Sequence, residues 1–378
     1  MTNDLPRAAY IHVPFCRHRC GYCNFTLVAG RDDLIESYLE ALACELSWLQ
    51  EPREVDTLFL GGGTPTHLPP AALRRLLELV RQWFPLAAGG EFSVEANPVD
   101  WTPEKAEVLK LAGVTRISLG AQSFDEAKLR LLERDHGPAE IEHAVALARG
   151  FAQSVSLDLI FGAPGESLAT WRRDLERALA LAPDHLSTYG LTFEKGTSFW
   201  SRLAKRDLAR VEEDIERQMY EYAIDTLTAA GFEHYEVSNF SKPGHRCRHN
   251  ETYWLGGRYY AAGPGAARFV GDRREMNHKS TTTYIARVLA GQSPVAESEA
   301  IDQEEAARER LIFGLRRLEG INLENFAADT GFTADQLGGE ALVSFISQGF
   351  LELSENQLRL THAGLLISDA LWPEFLRS

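Results

Sequence analysis

Three of the five cysteines stand within eight residues, in Cys16-Arg-His-Arg-Cys20-Gly-Tyr-Cys23, directly after an apolar β-type run. Thiols at this spacing reach three irons of one cubane cluster without the entropic cost of closing a long loop. Three protein ligands leave the fourth iron open, which is what a cluster needs in order to bind a cofactor or substrate. A second reading is a zinc site completed by His18 or His245, although zinc favours C-x2-C pairs and tetrahedral closure. Packed thiols are a third, against which Arg17 and Arg19 in the same segment argue. The spacing is not that of a C-x-x-C-H haem attachment sequence. Cys44 falls inside a helical stretch, where a free thiol acts as a small hydrophobe, and Cys247 reads as a packed thiol in a loop. Neither has the look of a disulfide partner.

The elements that must position these thiols alternate in a regular way from residue 8 to about 240. The β-type runs are 8–15, 55–63, 91–98, 116–123, 154–165 and 185–193. After the first, Ile35, Tyr38, Leu42, Leu46 and Leu49 keep helical i, i+3/i+4 spacing. Comparable stretches follow at 70–84, 103–112, 138–149, 168–182 and 212–230. Strand followed by helix, six times over, predicts an α/β fold with a parallel sheet curled into a partial (β/α)6 TIM-type barrel. Ligands of such sheets bind at the carboxyl ends of the strands, and these runs end in Gly and Pro loops that should converge there. One is Gly61-Gly62-Gly63-Thr64-Pro65, whose backbone could approach a ligand closely and donate N–H groups.

Residues 236–300 form a connecting segment whose first part, 236–271, is rich in Gly, His, Tyr and Arg and reads as irregular. Residues 301–378 become helical again and finish with a hairpin-like run and a last helix, the order of a winged helix. Such domains often bind DNA, but this one carries 6 Lys/Arg against 13 Asp/Glu, a net −7 that argues against phosphate binding. The whole chain, 378 residues with net charge −15, likewise offers no basic surface for nucleic acid. Residues 1–7 are polar, unlike a signal peptide, and no apolar run approaches the ~20 residues of a membrane span. The expected compartment is the reducing cytoplasm, where cysteines are read as metal or redox ligands.

C-x3-C-x2-C with an aromatic before the last cysteine resembles the signature of the radical S-adenosylmethionine superfamily. The resemblance implies a [4Fe-4S] cluster on Cys16, Cys20 and Cys23, with S-adenosylmethionine chelating the open iron. It also implies reductive cleavage of that cofactor to a 5′-deoxyadenosyl radical. It places Gly62, Gly63 and Thr64 at the methionine end of the cofactor and Glu95 at a ribose hydroxyl. Gln122, Arg134 and Asp158 match further cofactor-binding positions, and Tyr10 and Tyr22 match residues beside the cofactor. Taken singly, Glu95 and Asp158 are equally readable as structural carboxylates and Arg134 as a surface residue. Gly263-Pro264-Gly265-Ala266 resembles a turn on the adenine side and reads equally as an ordinary turn.

Within the superfamily, YIHVPFC, FLGGGTPT, RISLGAQSF and LDLIFGAPGE resemble the branch of oxygen-independent coproporphyrinogen III oxidase and the HemW-type haem chaperones. The oxidase has a further cysteine two residues after the third ligand, where this chain has Phe25, and a longer segment ahead of the cluster motif. His249-Asn250-Glu-Thr-Tyr253-Trp254 matches the chaperones' H-N-x-x-Y-W motif, whose histidine is implicated in haem binding. The alternatives are His249 as a buried, hydrogen-bonded group, and Cys247 or His245 as the haem ligand. The resemblance thus implies a carrier that passes haem to acceptor proteins, among them membrane-bound respiratory haem proteins met at the inner face of a membrane. It extends to a homodimer, for which no coiled coil or apolar stripe argues. The rival reading is radical oxidative decarboxylation of coproporphyrinogen III.

Overall fold

The computed structural model describes residues 5–376. The polar start, read as lacking a leader, lies partly outside them, since residues 1–4 are not described.

Six parallel strands pair in sequential order: β1 (Ala8–Val13), β2 (Val55–Gly62), β3 (Leu86–Ala96), β4 (Arg116–Gln122), β5 (Ser154–Phe161) and β6 (His185–Gly190). Helices α1 (Ile35–Ser47), α2 (Pro70–Trp83), α3 (Pro103–Leu111), α4 (Pro138–Arg149), α5 (Leu168–Ala180) and α6 (Glu213–Ala229) alternate with and follow them, as the periodicity predicts. Successive strand residues point to opposite faces. One face is apolar: Leu58, Leu60, Phe92, Val94, Ile117, Leu119, Val155 and Leu157 are buried in the main core together with Tyr38, Leu42, Leu73 and Trp171 of the helices. The other face is polar. Register aligns Glu95 with Ser118, Ser118 with Ser156, and Asp158 with Ser187.

A closed (β/α)8 barrel fills its interior with packed branched side chains. Here side chains from all six strands line a continuous lumen instead. Strands β1 and β6 are not paired to each other, so the barrel is open. Its edges are covered by later segments: Tyr260–Ala262 adds in parallel to β1, and Asn239–Ser241 and Glu233–Glu236 add antiparallel beyond β6.

The region expected to be irregular therefore supplies strands, and also a short helix, α7 (Arg248–Trp254). Tyr260, Ala262, Tyr284, Ile285 and Val288 all belong to the main core, so residues 236–300 are folded into the barrel unit rather than set apart from it. The last part matches its reading. Helices Gln303–Arg316, Leu323–Thr330 and Ala334–Ser347 precede a hairpin, Leu351–Ser354 with Gln357–Leu360, to which Ile321–Asn322 adds a third strand. This winged-helix arrangement has its own apolar core around Leu311, Leu315, Phe326 and Phe375. No helix among the described residues is long and apolar enough to cross a membrane.

Candidate functional site

The cysteine segment leaves the end of β1 as a loop closed at its base. Phe15–Cys16 pairs with Val28–Ala29, and Val28 N–H donates to the Pro14 carbonyl at 2.8 Å. Inside the loop Arg19 donates to the carbonyls of Cys23, Phe25 and Leu27 at 3.3, 3.1 and 2.8 Å, so this arginine staples the loop. Gly21 lies against Phe199 so closely that an added Cβ would stand 2.6 Å from the ring. Phe199, Phe193, Leu191 and Ile160 form a small apolar cluster that backs the loop from the barrel side. From the other side Gly265 meets it, since a Cβ there would fall 2.5 Å from the Thr26 hydroxyl.

Cys16, Cys20 and Cys23 line the mouth of a cavity of about 450 Å3 at the carboxyl ends of the strands. Burial pushes the Cys16 thiol up to about 11, against the pull of the Thr64 hydroxyl. Among the described residues no three His, Cys, Asp or Glu side chains are arranged so that they could hold a single metal ion.

Of the residues expected at the cofactor, Tyr22, Gly62, Gly63, Thr64, Glu95, Gln122, Arg134 and Asp158 all line this cavity. Gly62 takes φ +105°, and a Cβ on Gly63 would stand 2.8 Å from the Val13 and Phe15 carbonyls, so the loop reaches the cluster segment only as glycine. The Gly62 N–H donates to Glu95 at 3.0 Å. Burial, aided by the Asp158 charge, pushes the Glu95 carboxyl up to about 7. Asp158 is also raised by burial, opposed by hydrogen bonds that include Ser118 at 3.0 Å. Gln122 sits at a break in the β4–β5 register with φ +63°, a strained conformation that turns its side chain into the cavity. Arg134 donates to Asn97 Oδ1 at 3.1 Å and to the Gly120 carbonyl at 2.9 Å, and its Nη1 lies 3.6 Å from Cys20 Sγ. Its buried Nε has no partner, a donor left over for an anionic group such as the carboxylate of an amino acid. Thiols, a glycine cradle, a buried carboxylate beneath it and an orphaned guanidinium donor fit a cluster and a bound S-adenosylmethionine.

Tyr10 stands elsewhere, in the lower lumen, a cavity of about 200 Å3 that shares Glu95, Ser118, Asp158 and Tyr189 with the upper one. Its floor is α7. The i, i+4 spacing of His249 and Tyr253 puts both on the lumen face. His249 Nε2 meets the Tyr253 hydroxyl at 2.8 Å and Nδ1 the Thr57 hydroxyl at 3.0 Å. The imidazole stacks on Phe59 at 5.0 Å, and burial pushes its pKa down to about 3. It is thus a neutral ring, 1% exposed, with both nitrogens occupied. Trp254 points the other way, packing on Phe313 and under the Arg316 guanidinium of the C-terminal domain.

Arg116, Ser118 and Tyr189 also face the lumen and escaped the sequence reading. Their signal was parity, since Arg116, Ser118, Gly120 and Gln122 alternate with the apolar Ile117, Leu119 and Ala121 along β4.

Sequential parallel strands around a polar lumen, with three cysteines at the mouth, define the class. The Radical SAM superfamily profile matches residues 10–178, and the HemN C-terminal domain profile matches residues 301–367. Proteins named heme chaperone HemW are similar to this chain over its whole length. That of Mycobacterium tuberculosis is 39% identical, covering 97% of this chain and 94% of its own. The corresponding figures are 36%, 100% and 100% for Escherichia coli and 34%, 98% and 99% for Bacillus subtilis. The chain belongs to the HemW family. Among solved structures, the radical SAM enzyme coproporphyrinogen III oxidase (HemN) of Escherichia coli superposes with a TM-score of 0.87 at 23% identity. The match covers 99% of this chain and 90% of that one, and the two share a fold.

Proposed function

We propose that this protein is a cytoplasmic haem chaperone that binds haem and passes it to acceptor haem proteins. Full-length identity of 34–39% to heme chaperones from three bacteria carries this reading. Cys16, Cys20 and Cys23 hold a [4Fe-4S] cluster, and the upper cavity holds S-adenosylmethionine with Glu95, Gln122, Arg134 and Asp158 around it. When bound, that pair supplies one-electron chemistry at a sulfonium. The chain's own residues fix the loop and present Arg134 as an anion donor. Phe25 in place of the oxidase's extra cysteine supports carriage over decarboxylation. The acceptors are respiratory haem proteins at the inner face of a membrane, and the working form is a dimer.

The finer proposal is that His249 ligates haem iron. Its ring is held neutral, the form that coordinates metal. The lower lumen has room for a few waters but not for a tetrapyrrole, so ligation requires α7 to open and Tyr253 to release Nε2. This gives two substitutions opposite signs. In a Soret-band titration of anaerobically reconstituted protein, His249→Ala is expected to weaken haem binding tenfold or more. Tyr253→Phe removes a competing hydrogen bond of about 1 kcal/mol and is expected to tighten binding several-fold. If neither substitution changes the titration, the ligand is another residue, Cys247 and His245 being next. If wild type binds no better than an unrelated control protein, the chaperone reading fails.

A further inference from the structure

Two of the three thiols have a side-chain hydrogen-bond donor beside them. Arg134 Nη1 is 3.6 Å from Cys20. Cys16 has the Thr64 hydroxyl at 3.3 Å. Thr64 is itself 9% exposed, and its hydroxyl makes no other hydrogen bond among the described residues. Its backbone is locked in place, because the Gly63 and Thr64 N–H groups donate to the Val13 and Phe15 carbonyls at 2.8 Å. The hydroxyl is therefore aimed by the strand-end ladder that also carries Cys16.

Between a thiol and a hydroxyl either partner can donate. A cysteine that ligates iron is a thiolate and has no proton to give. With the cluster in place the proton in this contact belongs to Thr64. A donor on a ligating sulfur withdraws electron density from it and stabilises the more negative state of the cluster.

We propose that the Thr64 hydroxyl is a dedicated donor to the Cys16 thiolate and raises the reduction potential of the cluster. The couple concerned takes up one electron from an external low-potential one-electron donor. No bond forms or breaks, the cluster becomes more negative by one charge, and Thr64 keeps its proton. The inference rests on the cluster reading above and gives Thr64 a role apart from contact with the cofactor.

The test uses the full chain, reconstituted anaerobically and without S-adenosylmethionine, so that cofactor binding does not enter. Thr64→Val keeps the shape and removes the proton, whereas Thr64→Ser keeps the hydroxyl. Iron and sulfide are counted, and the midpoint potential is read by dithionite titration in the visible spectrum and by EPR of the reduced state. The expected result is a more negative midpoint for Thr64→Val and a near wild-type midpoint for Thr64→Ser, at equal iron content. Loss of the cluster from the Val variant with retention in the Ser variant supports the hydroxyl as the donor to the Cys16 thiolate. Identical behaviour of the two variants, both shifted or both unshifted, overturns the proposal. So does a Thr64→Val midpoint equal to or less negative than that of wild type. A wild type that takes up no cubane defeats the cluster reading itself, which is a separate result.

Discussion

Replacing Lys128 with Met is expected to cost the fold about 3–5 kcal/mol at neutral pH, the usual consequence of stranding buried charge. Lys128 is 4% exposed at its side chain and sits 2.5 Å from Glu166 and 3.0 Å from Asp174, each 1% exposed. Two loops of the cofactor cavity are tied to this trio. Asp174 accepts from the Ser123 hydroxyl and from the Phe124 N–H, directly after Gln122, while Glu166 accepts from the Ala163 N–H in the loop after β5. Without the lysine two carboxylates face each other in the interior. At least one then holds its proton well above its unfolded pKa, so the deficit grows as pH rises and shrinks as pH falls. Urea unfolding at pH 5 and pH 8 should show a clearly larger loss at pH 8. The triple variant with Glu166→Gln and Asp174→Asn should recover most of it. A variant equally stable at both pH values would mean that the lysine is not what holds the pair.

Glu95→Gln is expected to act in the opposite direction on stability. Burial raises this carboxyl from 4.5 to about 7 in the folded chain. A folded pKa above the unfolded one means that the native state binds more protons between those values, so stability falls as pH rises through that window. The shift corresponds to about 3 kcal/mol, fully felt at pH 8 and absent below about pH 4.5. Gln keeps an acceptor for the Gly62 N–H and carries no charge to desolvate. The variant should therefore be more stable than wild type by about 3 kcal/mol at pH 8, with the gap closing as the pH is lowered. The same change should weaken S-adenosylmethionine binding tenfold or more, since a neutral amide is the poorer acceptor for a ribose hydroxyl. Equal or lower stability of the variant at pH 8 would show that the carboxylate is not buried at a cost.

The six strands and their helices were legible because both faces of the sheet are constrained. The apolar face needs Leu, Ile, Val and Phe at alternate positions, and the helices need one apolar stripe, so β1 to β6 and α1 to α6 overlap their expected ranges, β3 beginning five residues early at Leu86 and β5 ending four early at Phe161. The cysteine loop was legible as one unit because its three thiols stand at short-range spacing directly after β1. Tyr260–Ala262 was not, being three residues without alternation whose partner, β1, lies far away in sequence. The neighbouring 236–271 segment looked irregular for the same reason: its short strands and α7 are ordered by the sheet edge and lumen they close. The H-N-x-x-Y-W segment was legible as important, but its geometry was not. Only the folded lumen puts Thr57 and Tyr253 on the two nitrogens of His249. Tyr10 is on the lumen face, as strand parity requires, but its place near the middle of β1 puts it in the lower lumen beside Glu95, a depth that the sequence does not give.

The buttress between Thr26 and Gly265, and the strand Tyr260–Ala262 against β1, join segments made far apart in time. A ribosome adding about 5–20 residues each second needs on the order of ten seconds or more to travel from one to the other. For much of that interval Cys16, Cys20 and Cys23 are without the wall that later backs them. The thiol-lined mouth is thus a late product of synthesis. Iron delivered to the nascent chain would meet three loose thiols, and iron delivered after release would meet a shaped socket.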